Sequence, residues 1–113
     1  MTRAGLTALV MLVATSANER ELPFYTGNDL FDLCKRSSSL CVGYAMGVHD
    51  MMSMLQMSGT RFFDWRVCLP AGVTARQVAD VATRYLTVHP EKRHFGAVAQ
   101  VAEALSDAFP CSP

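Results

Sequence analysis

The residues of this 113-residue chain best suited to chemistry are its four cysteines, Cys34, Cys41, Cys68 and Cys111. Thiols serve as metal ligands, as nucleophiles or as halves of disulfides, and spacing helps to separate the three. No C-x2-C knuckle occurs, so the pattern does not read as structural zinc. An even count in a small exported chain reads as disulfides, because an oxidising compartment removes free thiols. Four cysteines allow three pairings, which sequence alone leaves open. The pairing adopted as an expectation is Cys34–Cys41 with Cys68–Cys111. In the loop-entropy picture these contribute ~2.5 and ~4 kcal/mol, the wider loop giving the larger effect.

The remaining reactive types read more plainly. His49, His89 and His94 form no H-E-x-x-H pair, and a proline separates the last two, so turn and surface roles are expected and no metal site. Asp50 follows His49 directly, and neighbours on a helix point different ways, so no dyad is expected. Ser37-Ser38-Ser39 lacks the glycine elbow of a serine nucleophile. No catalytic residue and no cofactor are therefore expected, and the protein does not read as an enzyme.

Two clusters suggest binding. Met46, Met51, Met52, Met54 and Met57 crowd one stretch. Flexible thioethers there read first as core, then as an adaptable protein interface, and last as a soft-metal site for Cu(I). Arg61-Phe62-Phe63-Asp64-Trp65-Arg66 interleaves aromatics with arginines. That composition matches interface hot spots, and Arg61, Phe62, Phe63, Trp65 and Arg66 are the candidate partner-binding residues. The competing reading has the aromatics roofing the core with the arginines in water. Ten basic residues balance ten acidic ones, so the segment does not read as a nucleic-acid site.

These residues need elements to position them. Residues 1–17 combine Arg3, an uncharged stretch over Ala4–Ala14 and small residues ending at Ala17. This predicts a secretory signal peptide cleaved after Ala17, its apolar run well short of the ~20 residues of a membrane span. The mature part, 18–113, is expected to be one domain, periplasmic and free of the membrane. With hydrophobic residues at 50% and charged ones at 18%, the 113-residue chain has the apolar surface to fold.

Helical signals fill that part and strand signals are lacking. Thr26-Gly27-Asn28-Asp29 caps a short helix running to about Cys34, broken by Lys35 to Ser39. Leu40, Tyr44, Val48, Met51 and Leu55 mark a second helix through about Met57. Gly43 and Gly47 share one stripe of it and suggest a neighbouring backbone passing close by. Ser58 to Gly72 reads as an irregular connection. Thr74-Ala75-Arg76-Gln77 fits a capping box opening a third helix along Val78, Val81, Ala82, Tyr85 and Leu86, which stops before Pro90. Pro90 to His94 is expected to turn the chain. Val98, Val101, Ala102, Leu105 and Phe109 carry the last helix to Pro110. The expected fold is all-α, a small four-helix domain stapled by two disulfides.

The order of these pieces resembles a known family. Thr26-Gly27-Asn28-Asp29-Leu30 with Cys34, Cys41-Val42-Gly43-Tyr44, and Gly47-Val48-His49-Asp50 are similar to the Rap/Tai family of bacterial immunity proteins. So are Cys68-Leu69-Pro70, Gly72-Val73-Thr74, Tyr85-Leu86, His89-Pro90-Glu91, Arg93-His94, Ala104-Leu105 and Ala108-Phe109-Pro110-Cys111. The resemblance spans residues 26 to 111. It implies a periplasmic, disulfide-bonded helical protein, often a homodimer, that occludes a peptidoglycan amidase delivered by a type VI secretion system. The quoted motifs are caps, cysteines, turn prolines and glycines, so Arg61–Arg66 as the toxin-binding segment rests on composition. The alternative is a small periplasmic chaperone of the acid-stress type, which would expose apolar surface as its carboxylates protonate, or another helical binding protein.

Overall fold

The computed structural model describes residues 4–5, 7–8 and 23–112. Apart from those first four positions, the expected signal segment and the Ala17–Asn18 junction lie outside the described residues. Four α-helices and no strand are found among the described residues: α1 (Gly27–Arg36), α2 (Ser38–Met57), α3 (Ala75–Val88) and α4 (Ala97–Ala108), with a 3-10 turn at Pro90–Lys92. None is long and apolar enough to cross a membrane.

Local chemistry explains where each helix starts. Thr26 accepts from the Asp29 N–H at 3.2 Å, while Asp29 Oδ2 accepts from the Thr26 N–H at 2.9 Å, closing a capping box. Thr74 and Gln77 repeat the device at α3. α1 extends two residues past the expected end at Cys34, because Lys35 and Arg36 suit the negative end of its dipole. Ser37 alone then separates α1 from α2. Its N–H donates to the Leu33 carbonyl at 2.9 Å and its Oγ accepts from the Leu40 N–H at 3.3 Å.

The core is built of small and branched side chains: Leu30 from α1, Cys41, Ala45, Val48 and Met52 from α2, Val78, Ala82 and Leu86 from α3, and Val101 and Leu105 from α4. The inward stripe of α2 differs from the expected one. Of Leu40, Tyr44, Val48, Met51 and Leu55, only Val48 is fully buried, and Leu40 is 59% exposed. α2 is apolar nearly all round, so periodicity could not choose its inner face. The choice falls on the stripe through Cys41, which is tied to Cys34, and the small Ala45, which lets neighbours approach.

Both disulfides follow the expected pairing: Cys34–Cys41, seven residues apart, and Cys68–Cys111, spanning 43. The glycine expectation is corrected. A Cβ built on Gly43 or Gly47 meets nothing within 4 Å. The close approach lies instead at Gly27, where a Cβ would sit 2.9 Å from the backbone of Arg93. There the start of α1 is stitched to the approach of α4: the Gly27 and Asn28 N–H groups donate to the Phe95 and Arg93 carbonyls, each at 2.8 Å, and the Ala97 N–H donates to Tyr25 at 2.9 Å.

Candidate functional site

The connection from Ser58 to Thr74 is irregular throughout, as its composition suggests, and it holds the aromatic–arginine segment. Its entry is fastened to the last turn of α2. The Thr60 N–H donates to the Leu55 carbonyl at 3.0 Å and Ser58 Oγ donates to the same carbonyl at 2.9 Å. Gly59 turns the chain at φ +74°, a conformation open to glycine at no steric cost.

Beyond Thr60 the three aromatics collect. Phe63 stands edge-on to Phe62 at 4.9 Å between centroids and lies 4.7 Å from Trp65. Phe62 and Phe63 are 55% and 70% exposed, whereas Trp65 is half-buried and packs on the core. The segment thus divides: Trp65 is its foot on the domain, and the two phenylalanines face solvent. Phe63 adopts φ +52°, a strained backbone for a bulky residue.

Arg61 and Arg66 are exposed, and neither has a carboxylate within salt-bridge distance among the described residues. With Phe63, Asp64 and Trp65 they border an open hollow of about 500 Å³ that Gln56 also lines. Gln56 was not among the sequence candidates. Its signal was present: Cys41, Ala45, Val48 and Met52 recur along the inner stripe of α2, and Gln56 lies one turn beyond Met52 where that stripe passes between Leu55 and Gln56. An amide where an apolar residue is due implies a polar partner inside. That partner is Val67, whose N–H donates to Gln56 Oε1 at 2.9 Å and whose carbonyl accepts from Nε2 at 3.2 Å.

The other candidates are dispersed. Of the methionines, Met52 is buried, Met46 and Met51 are half-buried, and Met54 and Met57 are 64% and 88% exposed, so the core reading holds in full for Met52 alone. His49 and Asp50 do meet, contrary to expectation: His49 Nδ1 lies 3.3 Å from Asp50 Oδ1, with Ser53 Oγ 3.5 Å from Nε2. Both contacts are long, and none of the three residues borders the hollow. His89 bonds Glu91 at 3.0 Å and lies tilted against Tyr85, while His94 lies tilted against Phe95. Among the described residues no group of three or more His, Cys, Asp or Glu converges as a metal site would require.

A second polar network joins three elements elsewhere in the fold. Tyr85 donates to Glu103 at 2.7 Å and accepts from Lys92 at 3.1 Å, joining α3, the 3-10 turn and α4. Burial, then the bond to Glu103, raises the Tyr85 pKa. The carboxylates held below their usual range are Asp29, through its bonds to Thr26, and Glu91, through backbone and His89 bonds.

The profile of the family described as Rap1a immunity proteins matches residues 26–111. No curated protein and no solved structure matches the chain.

Proposed function

The chain belongs to the Rap1a immunity protein family, and on that premise we propose that it is a periplasmic protein that binds and blocks a peptidoglycan amidase delivered by a type VI secretion system. The observation that carries this reading is the exposed pair Phe62 and Phe63, flanked by two arginines with no acidic partner among the described residues. An inhibitor without chemistry of its own must fill or cover a cleft, and this segment offers large apolar area together with directed donors. Arg61 and Arg66 call for an acidic rim on the partner, which would also speed encounter. Trp65 supports the segment from below. Two disulfides suit an oxidising compartment, and the signal-like residues 1–17 agree with export. The homodimer belongs to the same proposal: α2 leaves Leu40, Met54 and Met57 exposed, apolar area that a second copy would cover.

The acid-chaperone reading has less support. Asp29 and Glu91 are exposed and bonded to their own neighbourhoods, so protonating them uncovers no apolar surface. The test is binding to purified type VI peptidoglycan amidases. Phe63→Ala should weaken the complex about thirtyfold or more with the unfolding midpoint unchanged, the behaviour of a desolvated anchor. Trp65→Ala should lower both affinity and stability. A chain that binds no amidase but suppresses client aggregation at low pH would overturn the assignment.

A further inference from the structure

The aromatic–arginine segment holds its shape with very little of its own. Among the described residues, none from Arg61 to Arg66 makes a backbone–backbone or side-chain hydrogen bond within the protein outside the helices. Yet Phe63 within it keeps a strained backbone at φ +52°. Such a conformation persists only where the surroundings over-determine it, so the constraint comes from Trp65, which packs on the core beside Phe63, and from the two ends. The entry is tied to the last turn of α2 through Thr60 and Ser58. At the exit, the tie nearest the segment is one side chain. The Gln56 carboxamide lies against the peptide groups of Val67 as a neighbouring strand would, donating to one and accepting from the other. Val67 is 4% exposed, and Cys68 follows, bonded to the Phe109 carbonyl at 2.9 Å and to Cys111.

We infer that Gln56 is the positioning residue of the recognition loop: its carboxamide fixes the exit of the loop and so sets the fraction of molecules whose Phe62, Phe63 and arginines stand ready to bind. The inference rests on the reading of Arg61–Arg66 as the partner-binding segment. A loop competent for only part of the time weakens apparent affinity by that fraction. The amide thus acts on binding through Val67, and Arg61–Arg66 remain the residues that touch the partner.

The test uses Gln56→Met, which keeps length and loses both hydrogen bonds, and Gln56→Glu, which at neutral pH keeps only the acceptor. Trp65 is the sole tryptophan, so its quenching by acrylamide reports on this loop. Hydrogen exchange at the Val67 amide reports on the clasp itself. With Gln56→Met, Val67 should lose protection, Trp65 should quench more readily, and affinity for a panel of type VI peptidoglycan amidases should fall about tenfold or more. Gln56→Glu at neutral pH keeps an acceptor for the Val67 N–H but sets a carboxylate oxygen against the Val67 carbonyl, so Trp65 should quench more readily while Val67 protection falls less than in Gln56→Met. Below the ordinary glutamate pKa of ~4.3 its carboxylic acid regains a donor beside the acceptor, and Val67 protection should recover relative to wild type at the same pH. A side chain acting by packing alone would show no such recovery. The Glu variant also keeps the test readable should the Met variant fail to fold.

Unchanged Val67 protection in Gln56→Met overturns the inference, as does the absence of recovery in Gln56→Glu. A loosened loop with affinity kept within twofold overturns it too. Wild-type chain that binds none of the amidases overturns the functional reading instead, and shows itself before any substitution is made.

Discussion

Two irregular stretches border the helices of this molecule, and they are finished in opposite ways. Where Tyr25–Asn28 meets Arg93–Ala97, three backbone hydrogen bonds of 2.8–2.9 Å cross between the strands of chain, and Gly27 admits the Arg93 backbone where any Cβ would collide. Across Arg61–Arg66 there is no such bond among the described residues, Phe62 and Phe63 face water above a half-buried Trp65, and neither arginine has a carboxylate within salt-bridge distance among those residues. The first stretch consumes its chemistry in holding the fold. The second leaves its chemistry unspent, which is what a surface meant for another molecule requires.

The sharpest way to test that contrast is through the disulfides, one of which anchors the open stretch. Replacing Cys68 and Cys111 by alanine should cost ~4 kcal/mol, against ~2.5 for Cys34 and Cys41, since the closed loops are 43 and seven residues. Chemical denaturation of the two variants gives the ranking. Cys68 stands at the exit of the aromatic loop, so its variant alone should also raise acrylamide quenching of Trp65. Equal stability losses would show that strain or residual structure outweighs loop entropy.

Glycine substitutions break the comparison from the closed side. Gly27→Ala drives a methyl to 2.9 Å from the Arg93 backbone and should destabilise by about 1–3 kcal/mol. Gly47→Ala meets nothing within 4 Å and sits inside a helix, so it should stabilise by about 0.5–1 kcal/mol. Thermal unfolding of both decides whether the stitched corner or the glycine stripe of α2 is the tight one. A destabilising Gly47→Ala that also shifts sedimentation toward monomer would point to a second copy on that face.

The smallest effect concerns acid. Asp29 is held below its ordinary pKa, first by the Thr26 backbone N–H and then by the Thr26 hydroxyl. A depressed folded pKa contributes stability above the unfolded value of ~3.9, and that contribution is lost as pH falls through the folded value. Hydrogen exchange at the start of α1 should therefore quicken, beyond its intrinsic pH trend, only below about pH 4. Asp29→Asn should remove that dependence and lower the melting temperature slightly at neutral pH. Because Asp29 is exposed, the effect stays local, and protection across Cys68 to Val73 should not follow it.

Much of this was legible in the chain. The capping boxes at Thr26 and Thr74 are local motifs whose partners lie three residues away, so a linear reading finds them. The irregular stretch was legible for the same reason, since Gly59, Pro70 and Gly72 act where they stand. α2 was legible as a helix and illegible in its orientation. Leu40 looked as much like core as Cys41, and only the disulfide partner and the helices packed around it turned Cys41 inward.

By itself, then, the sequence determined the helices, their starts, the irregular segment and the family pattern, because each depends on contacts a few residues apart or on residue order. Tertiary structure alone decided which side of α2 is buried, that Gly27 and not Gly43 or Gly47 marks the close approach, that Trp65 and Phe63 part company, and that Gln56 clasps Val67. Those outcomes depend on which surfaces meet across long loops, and side chains of equal hydrophobicity carry no local mark of that choice.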